Sequence, residues 1–84
     1  MTAPDWFKQR GGDLKLGSDA ETWYFLLGGE PVYSLNAVPV QGRFGCAIRQ
    51  TINGRRIPSS GVYPTKDEAI RGGLEDLRKA LGWA

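Results

Sequence analysis

The sequence predicts an α+β fold: a small antiparallel sheet of three to four strands with one C-terminal helix packed on one face. Three observations predict it. TWYFLL, from Thr22 to Leu27, is an aromatic and aliphatic run suited to a strand. Asn53-Gly54 stands between two β-compatible runs as a hairpin turn. Ile70, Leu74, Leu77 and Leu81 recur at spacings of four, three and four, which makes one apolar stripe on a helix.

In chain order, residues 1–20 mix charges, glycines and turn formers without periodicity. They are expected to form a loosely ordered segment, with Trp6 and Phe7 as the groups able to dock onto the body. Residues 21–84 form the single domain. After TWYFLL, the stretch from Gly28 to Pro31 signals a turn, and Val32 to Leu35 reads as the return strand. Pro39 then marks a loop or a sheet edge, because proline cannot donate to a ladder. A two-residue turn at Asn53-Gly54 sets a register. Ile52 faces Arg55, Gln50 faces Ile57, Ile48 faces Ser59, Cys46 faces Gly61 and Phe44 faces Tyr63. Alternation then collects Phe44, Cys46, Ile48, Ile52, Ile57 and Tyr63 on one face. Arg43, Ala47, Arg49, Thr51, Arg56, Pro58 and Val62 fall on the other, with Arg55 at the turn.

The helix begins with a capping box, Thr65 as N-cap and Glu68 three residues on. Asp67 and Glu68 suit the positive helix start. Gly82 suits a left-handed C-terminal stop, after which Trp83 folds back. Gly72-Gly73 lies inside the helix, at a cost of about 1 kcal/mol per glycine relative to alanine. Ala69, Gly73 and Ala80 flank the leucine stripe. Two readings stand: a close approach of helix to sheet, or a weak point tolerated by a packed helix.

An 84-residue chain is one domain at most, and one of thin stability margin. Its single cysteine, Cys46, forms no internal disulfide and suits a reducing compartment. No apolar run reaches the length of a membrane span. The start of the chain lacks the basic and apolar regions of a signal peptide. The expectation is a small cytoplasmic protein with no membrane partner. With no histidine and one cysteine, triads based on histidine and the ordinary zinc arrangements are excluded, and no phosphate-binding glycine loop occurs. Cys46 falls on the apolar face, as a core cysteine does. Asp19 and Glu21, or Glu75 and Asp76, read as surface charge. No catalytic residue, metal site, cofactor or small-molecule substrate is expected, and the chain is read as non-enzymatic.

Charge is unevenly spread. Residues 1–30 carry Lys8, Arg10 and Lys15 against Asp5, Asp13, Asp19, Glu21 and Glu30, a net of −2. Residues 31–65 hold Arg43, Arg49, Arg55 and Arg56 and no carboxylate, a net of +4. Residues 66–84 balance. Such asymmetry speaks to partners more than the total of +2 does. Arg43 and Arg49 lie about 20 Å apart along a strand. Arginine forks fit phosphate oxygens and guanine edges, and a β-ribbon can enter a major groove. Arg43, Arg49, Arg55, Arg56 and Thr51 are therefore the candidate nucleic-acid-binding residues, with duplex DNA as partner. The plainer alternative is an exposed face that arginines merely solubilise.

The stretch GRFGCAIR, NGRR and SGVYPTKDEA resembles the three-strand-plus-helix DNA-binding domains of the AP2 type and the arm-binding domains of phage integrases. The residues that carry it are Gly42-Arg43-Phe44, Ala47-Ile48-Arg49, Gly54-Arg55, Gly61-Val62-Tyr63, Thr65 and Glu68-Ala69, within residues 42–69. The resemblance implies a sheet lying in the major groove, with Arg43, Phe44, Arg49, Arg55 and Arg56 toward DNA, and a phage or mobile-element setting. The sequence departs from the pattern at Phe44, where a tryptophan is usual, at Ser60, where a leucine is usual, and at Arg71-Gly72-Gly73, where the helix is usually alanine-rich.

A second function class is a protein-binding module: a phage-type inhibitor, an antitoxin-like domain or a homodimer. Tyr63 to Ala69 before a helix also resembles antitoxins with a partial ribonuclease-H-like sheet. The strand of TWYFLL could offer an edge to a partner, with Trp23, Tyr24 and Tyr33 as anchors. The alternative for these three is burial in the core.

Overall fold

The computed structural model describes residues 3–83. A short helix α1 (Asp5–Lys8) leads into strands β1 (Gly12–Leu16), β2 (Thr22–Leu27), β3 (Glu30–Val40), β4 (Arg43–Gln50) and β5 (Arg56–Ile57), followed by helix α2 (Lys66–Leu81). The five strands form one antiparallel sheet in sequence order, with α2 packed against β3 and β4.

Two tight turns fix the centre of the sheet. Leu27 pairs with Glu30 across Gly28-Gly29, and Val40 pairs with Arg43 across Gln41-Gly42. All four turn residues have positive φ, between 48° and 81°, as a two-residue hairpin turn with the sheet's twist requires. Asn53-Gly54 is different. Only Gly54 has positive φ. Asn53 instead accepts a hydrogen bond from the Arg55 N–H at 2.9 Å through its side chain, and the Gly54 N–H donates to Gln50 at 2.9 Å. The connection is therefore longer than two residues. Ile57 pairs with Ile48 rather than Gln50, and Ile52 stands 91% exposed on the loop instead of on the apolar face.

A shift of two residues leaves the faces unchanged, because side chains alternate with period two. Cys46 and Ile48 are buried, and Arg43, Arg49 and Arg56 lie on the opposite face, as alternation predicts. The chain regains the predicted register at Phe44 and Tyr63, which exchange both backbone hydrogen bonds at 2.8 Å. The two additional residues are absorbed between Pro58 and Val62. That segment is tied to α2 by Ser59, whose hydroxyl donates to Asp76 at 2.7 Å.

β3 runs through Pro39, which was expected to mark a loop or an edge. Pro39 pairs with Phe44, whose N–H and C=O are both engaged by Tyr63 on its other side. No ladder bond is demanded of the proline there. β2 begins opposite Asn36, so residues 37–40 of β3 also lie beyond its reach and form a local edge.

The core lies between α2 and the sheet. Phe25, Leu35, Ile48, Ile70 and Leu77 are buried, and Leu74 is 3% exposed. The leucine stripe faces inward as predicted, and the capping Thr65 accepts the Glu68 N–H at 3.2 Å. Gly82 at φ 72° ends the helix, with Trp83 N–H bonded to Arg78 and Gly82 N–H to Lys79. Ala80 is exposed and takes no part in the helix–sheet contact.

Residues 3–20 are more ordered than their composition suggests. Phe7 is fully buried, stacked on Phe25 with ring centroids 3.6 Å apart. Trp6 meets Trp83 edge-on at 6.2 Å, Arg10 lies over the Trp83 ring at 5.0 Å, and Arg78 lies over Trp6 at 5.5 Å. Arg78 also donates to the Trp83 carbonyl at 2.7 Å. One aromatic cluster thus clasps the start of the chain to its end. β1 follows as an edge strand, and Gly12 is where the Phe7 ring crosses it, in the space a Cβ would fill. The alternation Leu14-Lys15-Leu16 was the available strand signal.

Candidate functional site

Helix α2 and Phe7 cover one face of the sheet, and no described element of the chain covers the other. Alternation sends Lys15, Tyr24, Ser34, Arg49 and Arg56 to this open face. The register makes them neighbours: Lys15 pairs with Tyr24, Tyr24 with Ser34, Ser34 with Arg49 and Arg49 with Arg56. They form one row across all five strands. Arg43 stands on the same face near the end of the β3–β4 hairpin, paired with Val40.

Arg49 and Arg56 are exposed and directly opposed. Gln50 N–H bonds to the Arg55 carbonyl, so the adjacent Arg49–Arg56 pair is the non-hydrogen-bonded kind, in which side chains come closest. Like charges in that position oppose pairing. Among the described residues the one ion pair is Arg78 with Glu75, at 3.3 Å on α2. Arg43, Arg49, Arg55 and Arg56 therefore have no carboxylate oxygen of a described residue within 4 Å.

The predicted site residues separate. Arg43, Arg49 and Arg56 share the open face. Arg55 is exposed at the end of the β4–β5 loop. Thr51 serves the fold: its hydroxyl donates to the Pro31 carbonyl at 2.7 Å and its N–H bonds to Val32 at 3.0 Å. Phe44, which the resemblance turned toward DNA, sits on the helix side beneath Lys66, 5.9 Å from its ring.

Of the proposed interface aromatics, Tyr33 is a core residue, 7% exposed and edge-on to Phe25 at 5.6 Å. Trp23 packs on the helix side. β2 has no free edge, because β1 pairs along it. Tyr24 alone of the three is on the open face. Lys15 and Ser34 were missed in the sequence. Neither is unusual by type, and only the register places them in the row.

Cys46 is buried, and its thiol is pushed up to about 12 by burial, with the Asp76 carboxylate adding to the effect. It is a packing residue here. Among the described residues no group of histidine, cysteine and carboxylate side chains is placed to hold a metal ion. No described helix is long and apolar enough to cross a membrane.

Fold and site together define a small compact α+β domain: a five-strand antiparallel sheet, one C-terminal helix on β3 and β4, and one open, basic sheet face. No protein family, curated protein or solved structure matches the chain.

Proposed function

We propose that this is a non-enzymatic domain that binds nucleic acid through its open sheet face. The observation that carries the proposal is the cross-sheet row ending in Arg49 and Arg56, two opposed arginines neither of which is ion-paired with a described carboxylate. An uncompensated pair of this kind works against the fold, and an anionic partner relieves it. Phosphates are such a partner, since guanidinium forks match their oxygens. Arg43 extends the positive surface along β4, and Arg55 extends it past the sheet end. The β4–β5 ribbon corresponds to the stretch that resembles groove-reading domains.

The test is an NMR titration of labelled protein with a short mixed-sequence DNA duplex at low and near-physiological salt. Saturable shifts at Arg43, Arg49, Arg55 and Arg56 that weaken with salt are expected, because phosphate binding releases counterions. Unmoved spectra at low salt with duplex and single strand alike would remove the proposal.

A second reading, protein contact, is favoured by one observation. Val38 and Val40 are 37% and 38% exposed and flank Gly45 on the same face. A partner bound through that apolar end would perturb Val38 and Val40 and show little salt dependence.

A further inference from the structure

We infer that Tyr24 is a stacking platform for an unpaired base, so that the open face takes single-stranded nucleic acid in preference to duplex. This rests on the reading of that face as a nucleic-acid interface.

The length of the row favours a single strand. From Lys15 on β1 to Arg56 on β5 the row crosses four strand intervals, about 19 Å at the usual ~4.8 Å spacing. A B-form major groove is about 12 Å wide. A two-stranded ribbon fits across that width, whereas the full row is longer than the groove is wide. A single strand laid across the sheet meets every residue of the row.

Tyr24 is held in place at one edge of the row. A Cβ at Gly17 would come within 2.9 Å of Tyr24 Cε2. One edge carbon of the ring thus takes the space that a side chain at Gly17 would fill, which holds the ring beside the end of β1. Beside it is a shallow depression of about 310 Å³, bordered by Lys15, Tyr24, Leu26, Gly29 and Pro31. Its apolar border suits the face of a base, and Lys15 suits the adjoining phosphate. On the other side Ser34 is short and leaves the way open to Arg49, two strands and about 10 Å away. A paired base already has both faces stacked in its duplex and offers none to Tyr24. An unpaired one does.

Fluorescence anisotropy with a labelled oligothymidine and with a duplex, at the same salt, tests this. The single strand is expected to bind more tightly. Tyr24→Leu should weaken it by about fivefold or more, the usual worth of one base on an aromatic ring. Tyr24→Phe should bind like the parent, and Arg49→Gln should weaken both ligands. On the unaltered protein, Tyr24 ring protons should move upfield when oligothymidine is added, which does not depend on any variant folding. Tighter duplex binding, or a Tyr24 ring unmoved by a bound single strand, overturns the inference and leaves the nucleic-acid reading standing. Binding of neither ligand at low salt overturns both.

Discussion

Gly73 of α2 rests directly on Cys46 of β4: a Cβ at position 73 would lie 2.8 Å from the Cys46 Cβ and closer still to its sulfur. The Leu35 Cδ2 would be 3.4 Å away. Alanine at position 73 would gain helix propensity of about 1 kcal/mol. It would also overpack a buried contact, at about 1–3 kcal/mol. Gly73→Ala is expected to destabilise the domain in urea unfolding, and Cys46→Ala added to it should recover part of the loss. A stabilised Gly73→Ala would mean that α2 can shift off the sheet without penalty.

The same contact seals the thiol. With Cys46 buried and its ionisation pushed up to about 12, the native protein should resist a thiol reagent at pH 8. Reaction should proceed fully in urea. Rapid labelling of the native state would show that α2 opens easily.

Phe7 anchors the start of the chain through its stack on Phe25. Phe7→Ala should cost about 3–5 kcal/mol, as loss of a buried phenyl ring does. For a small domain this is a large share of a total in the range of about 5–15 kcal/mol. Urea unfolding followed by tryptophan emission reads it directly, since Trp6 and Trp83 sit in the same cluster. A variant as stable as the parent would mean that the cluster contributes little.

Neutralising one member of the Arg49–Arg56 pair should separate binding from stability. Arg49→Gln is expected to leave the fold as stable or to raise it by about 0.2–1 kcal/mol at low salt. Nucleic-acid affinity should fall in the same variant. Added salt should stabilise the parent more than the variant, because it screens the repulsion. A marked loss of stability would mean instead that the Arg49 stem packs against the sheet.

Asp19 closes the β1–β2 turn. Its carboxylate accepts the Thr22 N–H at 2.9 Å, the Glu21 N–H at 3.0 Å and the Thr22 hydroxyl at 2.7 Å. These bonds, the Thr22 N–H foremost, hold its pKa down from 3.8 to about 2. The folded state thus favours the anion. The resulting stabilisation is complete above pH 3.8 and is lost as pH falls toward about 2. A carbon-detected NMR titration should place the Asp19 midpoint well below the ordinary value of 3.8. Asp19→Asn should remove this component of the acid dependence.

Local rules carried much of this fold. Thr65, Glu68 and Gly82 delimit α2 because capping depends on residues within one turn of one another. The leucine stripe turns inward because period fixes its face. The faces of β4 and β5 survived an incorrect turn, since the register error was an even number of residues. The start of the chain was less legible. Phe7 becomes structural only through Phe25 and Trp83, which are far from it in sequence, and β1 is held by its pairing with β2.

The arginine excess of residues 31–65 was likewise evident from the sequence, together with its lack of local carboxylates. The tertiary structure decided which of those arginines act together. It grouped Arg49 and Arg56 with Lys15, Tyr24 and Ser34, gave Thr51 to the fold and placed Tyr33 and Phe44 on the helix side. Charge and alternation are properties of a segment and can be read from it. A row that crosses five strands depends on the register of every hairpin, and register is settled by turn geometry and core packing taken together.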